Sequence, residues 1–308
     1  MKKKVSIIGA GNVGASLAQM IVQSGISDVV LFDIAEGIPQ GKALDLAEAC
    51  PLWGSSSSII GTNDYSHTEN SDVIVITAGF PRKPGMSRDD LLHANAKVVA
   101  EVTEKTSKYS PNAVIIVVTN PMDVMAYVSM KISGFDSKRV IGMGGILDSA
   151  RFRTFVAWEL NVSPADVEAL VLGGHGDLMV PMPRFTTVKG VPITELISSD
   201  RIAHLVERTR HGGAEIVSFL KTASAYYAPA ASTFQMVKAI ILNEKRLLPS
   251  SAFLNGEYNV NGIYTGVPVI LGKKGVEKII ELNLNNEEVI DFEKSVKAVR
   301  LLIEKLNI

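Results

Sequence analysis

The sequence predicts an α/β fold in which a doubly wound parallel sheet is followed by an α+β unit. In the first half, short continuous apolar segments rich in β-branched residues alternate with helical segments, as in parallel sheets covered on both faces. Near residue 142 the alternation stops, and later segments have the pattern of antiparallel pairs. No internal repeat or low-complexity linker lies between the two parts. We therefore predict one domain over 1–142 and a second over 143–308.

Six strands of the first domain are predicted from its continuous apolar segments. They cover 5–8, 29–32, 58–61, 73–77, 114–118 and 140–141. The intervening helices are predicted over 12–24, 39–49, 87–109 and 121–132. Ser87 and Asp90 have the spacing of a capping box, which places the start of the third helix at Ser87.

The second domain is predicted to begin with a helix over 146–160, after which Ser163 and Pro164 start a new unit. A strand is expected at 182–188, and a hairpin is expected to pair 258–261 with 263–270 across a turn that contains glycine. Phe292, Val296 and Val299 recur at helical spacing, so we interpret the last helix as core packing.

Composition excludes several classes of protein. The chain has 308 residues, 46% of them hydrophobic and 20% charged, which is typical of an ordinary globular protein. A net charge of −1 gives no electrostatic reason to bind nucleic acid or an anionic membrane. The single Cys50 excludes an internal disulfide and a multi-cysteine metal site.

The amino-terminal segment superficially imitates a secretory signal, because Lys2, Lys3 and Lys4 precede an apolar stretch. Three glycines interrupt that stretch, however, and Asp28 follows closely. No uninterrupted apolar segment approaches the length of a membrane span. We therefore predict a cytoplasmic protein with no membrane partner.

A glycine-rich turn joins the first predicted strand to the first predicted helix and matches the pattern G-x-G-x-x-G. Its residues are Gly9, Ala10, Gly11, Asn12, Val13 and Gly14. Such glycines permit a tight turn and a close approach to a pyrophosphate, which the helix N-terminus then binds. Asp33 ends the second strand, where its carboxylate can accept both ribose hydroxyls and repel a 2′-phosphate. The sequence therefore predicts a Rossmann domain that binds NAD in preference to NADP.

Two arginines, Arg82 and Arg88, lie in a loop punctuated by proline and glycine directly after the strand at 73–77. Loops at the carboxyl ends of parallel strands bind ligands in open α/β sheets. A guanidinium can grip a carboxylate through two parallel hydrogen bonds, so the pair suits a small, doubly negative substrate. The alternative is two solvated surface arginines.

A candidate acid–base group is His175, which lies between glycines after a short apolar segment. Asp148 could bond one imidazole nitrogen and stabilise the imidazolium. Arg151, one helical turn after Asp148, could bind a carboxylate, and Asn120 at a strand end could contact a substrate hydroxyl. Taken singly, Asp148 and Arg151 could be an intrahelical ion pair and Asn120 a turn residue. Their convergence in carboxyl-end loops favours a catalytic site.

Over essentially its whole length the chain resembles the lactate/malate dehydrogenase family, and within it the malate dehydrogenases that are built like lactate dehydrogenase. The resemblance rests on the glycine motif, Asp33, and the segments 78–79, 81–88, 118–121, 147–151 and 174–177. It implies NAD as cofactor, malate and oxaloacetate as substrates, and a homodimer or homotetramer.

The resemblance also implies roles for single residues. His175 would be the proton acceptor and Asp148 its partner. Arg151 would bind the C1 carboxylate, and Arg88, on a closing loop, would polarise the reacting carbonyl. Arg82 occupies the position that separates malate enzymes from lactate enzymes, which usually have glutamine there. The remaining implied contacts are Asn120 with the substrate and Asn95, Val118, Thr119 and Asn120 with the cofactor.

Three alternatives stay open from the sequence. A lactate dehydrogenase would leave the guanidinium of Arg82 unpaired beside the methyl group of pyruvate. An NAD-dependent glycosidase would need a metal held by Cys and His, and Cys50 has no histidine close in sequence. An NAD sensor without enzymatic activity would not need His175, Asp148 and Arg151 together.

Overall fold

One large sheet dominates a computed structural model of the protein, which describes residues 2–80 and 87–306. The first six strands, β1 to β6, are Lys4–Ile8, Asp28–Phe32, Ile59–Thr62, Val73–Ile76, Val114–Val117 and Val140–Gly142. The α-helices that connect and follow them, α1 to α5, are Asn12–Ser24, Ile38–Ala49, Arg88–Tyr109, Met122–Ser133 and Gly145–Leu160. These bounds match the predicted elements to within one or two residues.

The six strands run parallel in the order β6-β5-β4-β1-β2-β3, as a doubly wound sheet does. Every residue of β4 and β5 is buried, because helices cover both faces of the sheet. The capping box at the start of α3 is present, with Ser87 accepting from the backbone of Asp90. The α/β fold predicted from the sequence is confirmed.

Between residues 143 and 306, the described part of the second half, there are eight further strands. Five are two-residue strands: β7 Val167–Glu168, β8 Val171–Leu172, β9 Val180–Pro181, β10 Thr187–Val188 and β11 Val191–Pro192. Three are longer: β12 Arg246–Asn255, β13 Asn261–Gly272 and β14 Gly275–Ile279. The remaining helices are α6 Ser199–Leu220, α7 Tyr227–Ile241 and α8 Asn286–Glu304.

The long strands do not form a separate sheet. β12 runs antiparallel to β6 with Ser251 opposite Gly142, so that β14-β13-β12 extend the parallel sheet to nine strands. A Cβ on Gly142 would lie 2.8 Å from that of Ser251, so the junction requires glycine. The two halves of the chain thus share one sheet.

Two sequence-based expectations for the second half are wrong. A single strand at 182–188 does not form, because the 3₁₀ turn Pro183–Phe185 separates β9 from β10. The segment 258–261 is not the partner of 263–270. Residues 257–259 form a 3₁₀ turn in which Tyr258 has a φ of 52°, and β13 pairs with β12 instead.

Candidate active site

The glycine-rich turn lies at the carboxyl edge of the sheet, between β1 and α1. Gly9 has a φ of +115°, and a Cβ there would lie 2.6 Å from Oγ1 of Thr77. A Cβ on Gly14 would collide with the carbonyl oxygen of Gly9, whereas a Cβ on Gly11 would meet nothing within 4 Å. Gly9 and Gly14 therefore close the turn, and the space in front of Gly11 stays open to a ligand at the N-terminus of α1.

The carboxylate of Asp33 is held beside this turn. Its Oδ2 accepts from the amide of Ala10 at 2.7 Å and its Oδ1 accepts from the amide of Ala35 at 3.0 Å. Asp33, Gly9 and Gly11 line a cavity of about 300 Å³ together with Tyr65. The carboxylate thus keeps a fixed position at the edge of the cavity.

Asn95 fastens two strand-end loops together from α3. It is buried, and its amide nitrogen donates to the carbonyls of Asn120 at 2.7 Å and Phe80 at 3.2 Å, while its oxygen accepts from the amide of Phe80 at 2.7 Å. Thr119 donates to the carbonyl of Ala78 at 2.7 Å. These hydrogen bonds therefore hold the loops after β4 and β5 next to each other.

The catalytic candidates His175, Asp148 and Arg151 form one hydrogen-bonded chain. His175 Nδ1 lies 2.8 Å from Oδ2 of Asp148, and Nη1 of Arg151 donates to the other carboxylate oxygen at 3.2 Å. Asp148 is 2% exposed and the imidazole 13%. Burial lowers the pKa of His175. The charge of Asp148 and its hydrogen bond together raise that pKa by more than burial lowers it, so the net pKa lies above the usual value. Asp148 therefore favours the imidazolium.

The loop that carries His175 is anchored at three points. Gly173 exchanges backbone hydrogen bonds with Gly266 of β13, and the amide of Gly174 donates to Ser295 of α8 at 2.8 Å. The amide of His175 itself donates to Oδ2 of Asp123 at 2.7 Å. These contacts fix the backbone from which the imidazole projects.

Asp123 is a residue that the sequence analysis missed. It is buried in the first turn of α4, and its other oxygen accepts from the hydroxyl of Ser251 at 2.6 Å. Burial raises the pKa of the carboxyl, opposed by these two hydrogen bonds. The available signal was a single carboxylate within the apolar segment 122–130.

His175 and Asn120 line a cleft of about 390 Å³, whose rim includes Arg88. The Arg88 guanidinium lies 3.6 Å from Asp177, and both side chains are mostly exposed, so this ion pair contributes little to stability. Arg151 lines a neighbouring cavity of about 260 Å³ instead. Arg82 lies outside the described residues. Within 2–80 and 87–306, no cluster of three His, Cys, Asp or Glu side chains could hold a metal ion.

Comparison with known proteins places the chain in a family. Residues 3–142 match the lactate/malate dehydrogenase NAD-binding domain, and residues 146–307 match the alpha/beta C-terminal domain of the same family. The chain belongs to the lactate/malate dehydrogenase family. A lactate/malate dehydrogenase is an NAD-dependent oxidoreductase, and the open space at Gly11 and the carboxylate of Asp33 fit that cofactor.

The relatives of this chain include both malate dehydrogenases and lactate dehydrogenases. The chain is 57% identical to a malate dehydrogenase of Heliobacterium modesticaldum over 302 residues, 98% of each chain. Malate dehydrogenase of Cryptosporidium parvum superimposes with a TM-score of 0.97 at 46% identity, covering 100% of this chain and 99% of that one. Lactate dehydrogenase of the same organism, solved with lactic acid and NAD, gives 0.97 at 44% identity, covering 100% and 98%. The fold alone therefore does not separate the two substrates.

Two further observations concern the glycosidase alternative and the prediction of no membrane partner. Cys50 is buried in the apolar core, which leaves no role for it as a metal ligand in an open site. None of the helices in the described part of the chain is long and apolar enough to span a membrane.

Proposed function

We propose that the protein is a malate dehydrogenase that interconverts malate and oxaloacetate with NAD. The observation that carries the proposal is the chain His175–Asp148–Arg151, which joins an acid–base group to a cation suited to a carboxylate. The malate dehydrogenase names of relatives such as that of Heliobacterium modesticaldum support the choice of substrate.

In the proposed mechanism, Nε2 of His175 accepts the proton of the 2-hydroxyl of malate. Asp148 accepts a hydrogen bond from Nδ1, which fixes the tautomer with a free lone pair on Nε2 and stabilises the imidazolium that results. NAD, when bound, supplies the hydride acceptor for C2. In the reverse direction the imidazolium returns the proton to the carbonyl oxygen of oxaloacetate.

The substrate is held by cations at both ends. Arg151 would bind the C1 carboxylate through the guanidinium N–H groups that Asp148 does not engage. Arg82 would bind the C4 carboxylate, and Arg88 would polarise the carbonyl as its loop closes over the cleft and excludes water. Asn120 would donate a hydrogen bond to the reacting oxygen. The cofactor would lie along the glycine-rich turn, Asp33, Asn95 and the strand end at 118–120.

Three coarser proposals accompany this one. We propose a domain boundary between residues 142 and 143, and the family matches to residues 3–142 and 146–307 support it. A homodimer or homotetramer is proposed, because α2 exposes Ile38 and Leu44, at 48% and 62%, and light scattering would measure its mass. A cytoplasmic location remains a prediction.

The deciding experiment measures kcat/KM for oxaloacetate and for pyruvate in the Arg82→Gln variant and in the wild type. A charge-assisted hydrogen bond to a buried group contributes about 1.5–3 kcal/mol, so kcat/KM for oxaloacetate should fall about 10–10²-fold. Activity toward pyruvate should rise, because the unpaired cation beside its methyl group is removed. Lys83→Gln, a neighbouring loss of charge, is the control and should change neither rate by more than about twofold.

Arg88→Gln should lower kcat/KM for both oxaloacetate and pyruvate, since both have the carbonyl that Arg88 would polarise. Equal losses for oxaloacetate and pyruvate in Arg82→Gln would refute the assignment of malate as the substrate. A wild-type protein that prefers pyruvate would favour the lactate dehydrogenase alternative. Absence of turnover with intact NAD binding would favour the sensor.

A further inference from the structure

Helix α6 contains two adjacent glycines, Gly212 and Gly213, deep within its 22 residues. Glycine is among the poorest helix formers, because it loses the most backbone freedom on folding. Neither residue has a positive φ, so the backbone of the helix does not require glycine there. The reason for the pair therefore lies in what packs against it.

The side chain of Arg151 lies flat across this part of α6. A Cβ on Gly212 would lie 3.1 Å from Cδ of Arg151 and 3.6 Å from its Nε, and its three nearest atoms would all belong to Arg151. A Cβ on Gly213 would lie 3.6 Å from Nη2 of Arg151 and 3.9 Å from its Cζ and Nη1, which is ordinary van der Waals contact. The contact at Gly212 is tighter than most Cβ contacts in proteins, so Arg151 would have to move by a few tenths of an ångström to admit a side chain there.

The guanidinium is oriented by the same contact. Nε of Arg151 is buried and donates to no acceptor among the described residues, while Nη1 is bonded to Asp148. With Nε turned to the helix surface and Nη1 held by Asp148, Nη2 and the remaining hydrogen of Nη1 are the donors left for a ligand. The flat face of α6 and the carboxylate of Asp148 thus fix the guanidinium from two sides.

We infer that Gly212 is a positioning residue for substrate binding, because its missing side chain lets Arg151 lie against α6 and present its outer N–H groups to the substrate carboxylate. Gly212 acts through Arg151 and does not itself touch the substrate. The inference rests on the proposed role of Arg151.

Gly212→Ala and Gly213→Ala form a matched pair on the same helix. Each replaces glycine by the best helix former, so both should raise the melting temperature or leave it unchanged. Gly212→Ala should displace Cδ of Arg151 by a few tenths of an ångström and raise KM for oxaloacetate about tenfold, with kcat changed less. Gly213→Ala should keep KM within about twofold of the wild type. The Kd for NAD should be unchanged in both, because α6 does not line the cavity at Asp33.

Arg151→Lys tests the proposed function separately, since lysine lacks the planar fork that binds a carboxylate. If Arg151→Lys leaves KM unchanged, the role of Arg151 is wrong. If Arg151→Lys raises KM but the two alanine variants behave alike, whether both unchanged or both impaired, the inference about Gly212 alone is overturned.

A destabilised Gly212→Ala would still be informative. The double variant Arg151→Ala/Gly212→Ala should then recover the melting temperature of Arg151→Ala, because the clash is with Arg151 alone. A double variant that stays destabilised would place the clash elsewhere and overturn the inference.

Discussion

Asp123 offers the sharpest test of how the loop that carries His175 is held. Its buried carboxylate accepts hydrogen bonds from the amide of His175 and the hydroxyl of Ser251. Asp123→Ala leaves both donors buried without an acceptor, at about 1–3 kcal/mol each, so the free energy of unfolding should fall by about 2–6 kcal/mol. Asp123→Asn keeps an acceptor for His175 but removes the charge from both bonds, which should cost about 2 kcal/mol.

Activity should fall together with stability, because the amide of His175 is one of the two bonded groups. A shift of the loop by about 1 Å would lower turnover up to about 10²-fold. Ser251→Ala is the matched control: it removes the other donor and leaves the bond to His175 intact, so kcat should stay closer to the wild-type value. Urea unfolding and steady-state kinetics, measured below the melting temperature of each variant, give the two quantities.

A folded Asp123→Ala variant with kcat/KM within about twofold of the wild type would refute this reasoning. The contacts of Gly173 and Gly174 with β13 and α8 would then suffice to hold the loop. Equal losses of kcat in Ser251→Ala and Asp123→Ala would also contradict it, because of these two residues it is Asp123 that bonds to the amide of His175.

Two further predictions concern protons and the cofactor. Because the pKa of His175 is raised, its neutral form appears as pH rises through the raised value, so kcat/KM for malate should increase there and that for oxaloacetate should fall. Asp148→Asn should move both pH profiles to lower pH, and unmoved profiles would show that Asp148 does not set this pKa. Asp33→Ala should lower the affinity for NAD about 10–10²-fold and remove the repulsion of a 2′-phosphate. A wild-type protein that uses NAD and NADP equally well would contradict the role given to Asp33.

The elements that the sequence predicted correctly depend on local patterns. The continuous apolar segments of β4 and β5, the glycine turn and the capping box at Ser87 each lie within a few neighbouring residues. The shared face of Asp148 and Arg151 follows from their helical spacing. Such features can be recognised without knowing how distant parts of the chain meet.

The features that were missed depend on distant contacts. Asp123 bonds to residues 52 and 128 positions away, so its local sequence gives only an isolated carboxylate in an apolar helix. β12 contains Pro249, which pairs with Pro268 of β13. Proline lacks the N–H group that a central strand uses, so its presence argues against a strand at that position. The contact of Gly212 with Arg151 likewise joins two helices that no local pattern relates.

The sheet junction at Gly142 limits how the molecule could be divided. A chain cut there would expose the outer edge of β6, and the remainder would carry an unpaired edge on β12. Unpaired edges of this kind promote association with other chains. Transfer of the NAD-binding half to another enzyme would therefore leave the edge of β6 unpaired unless β12 or a substitute for it were included. Exchange of individual loops at the carboxyl edge would leave this shared framework whole.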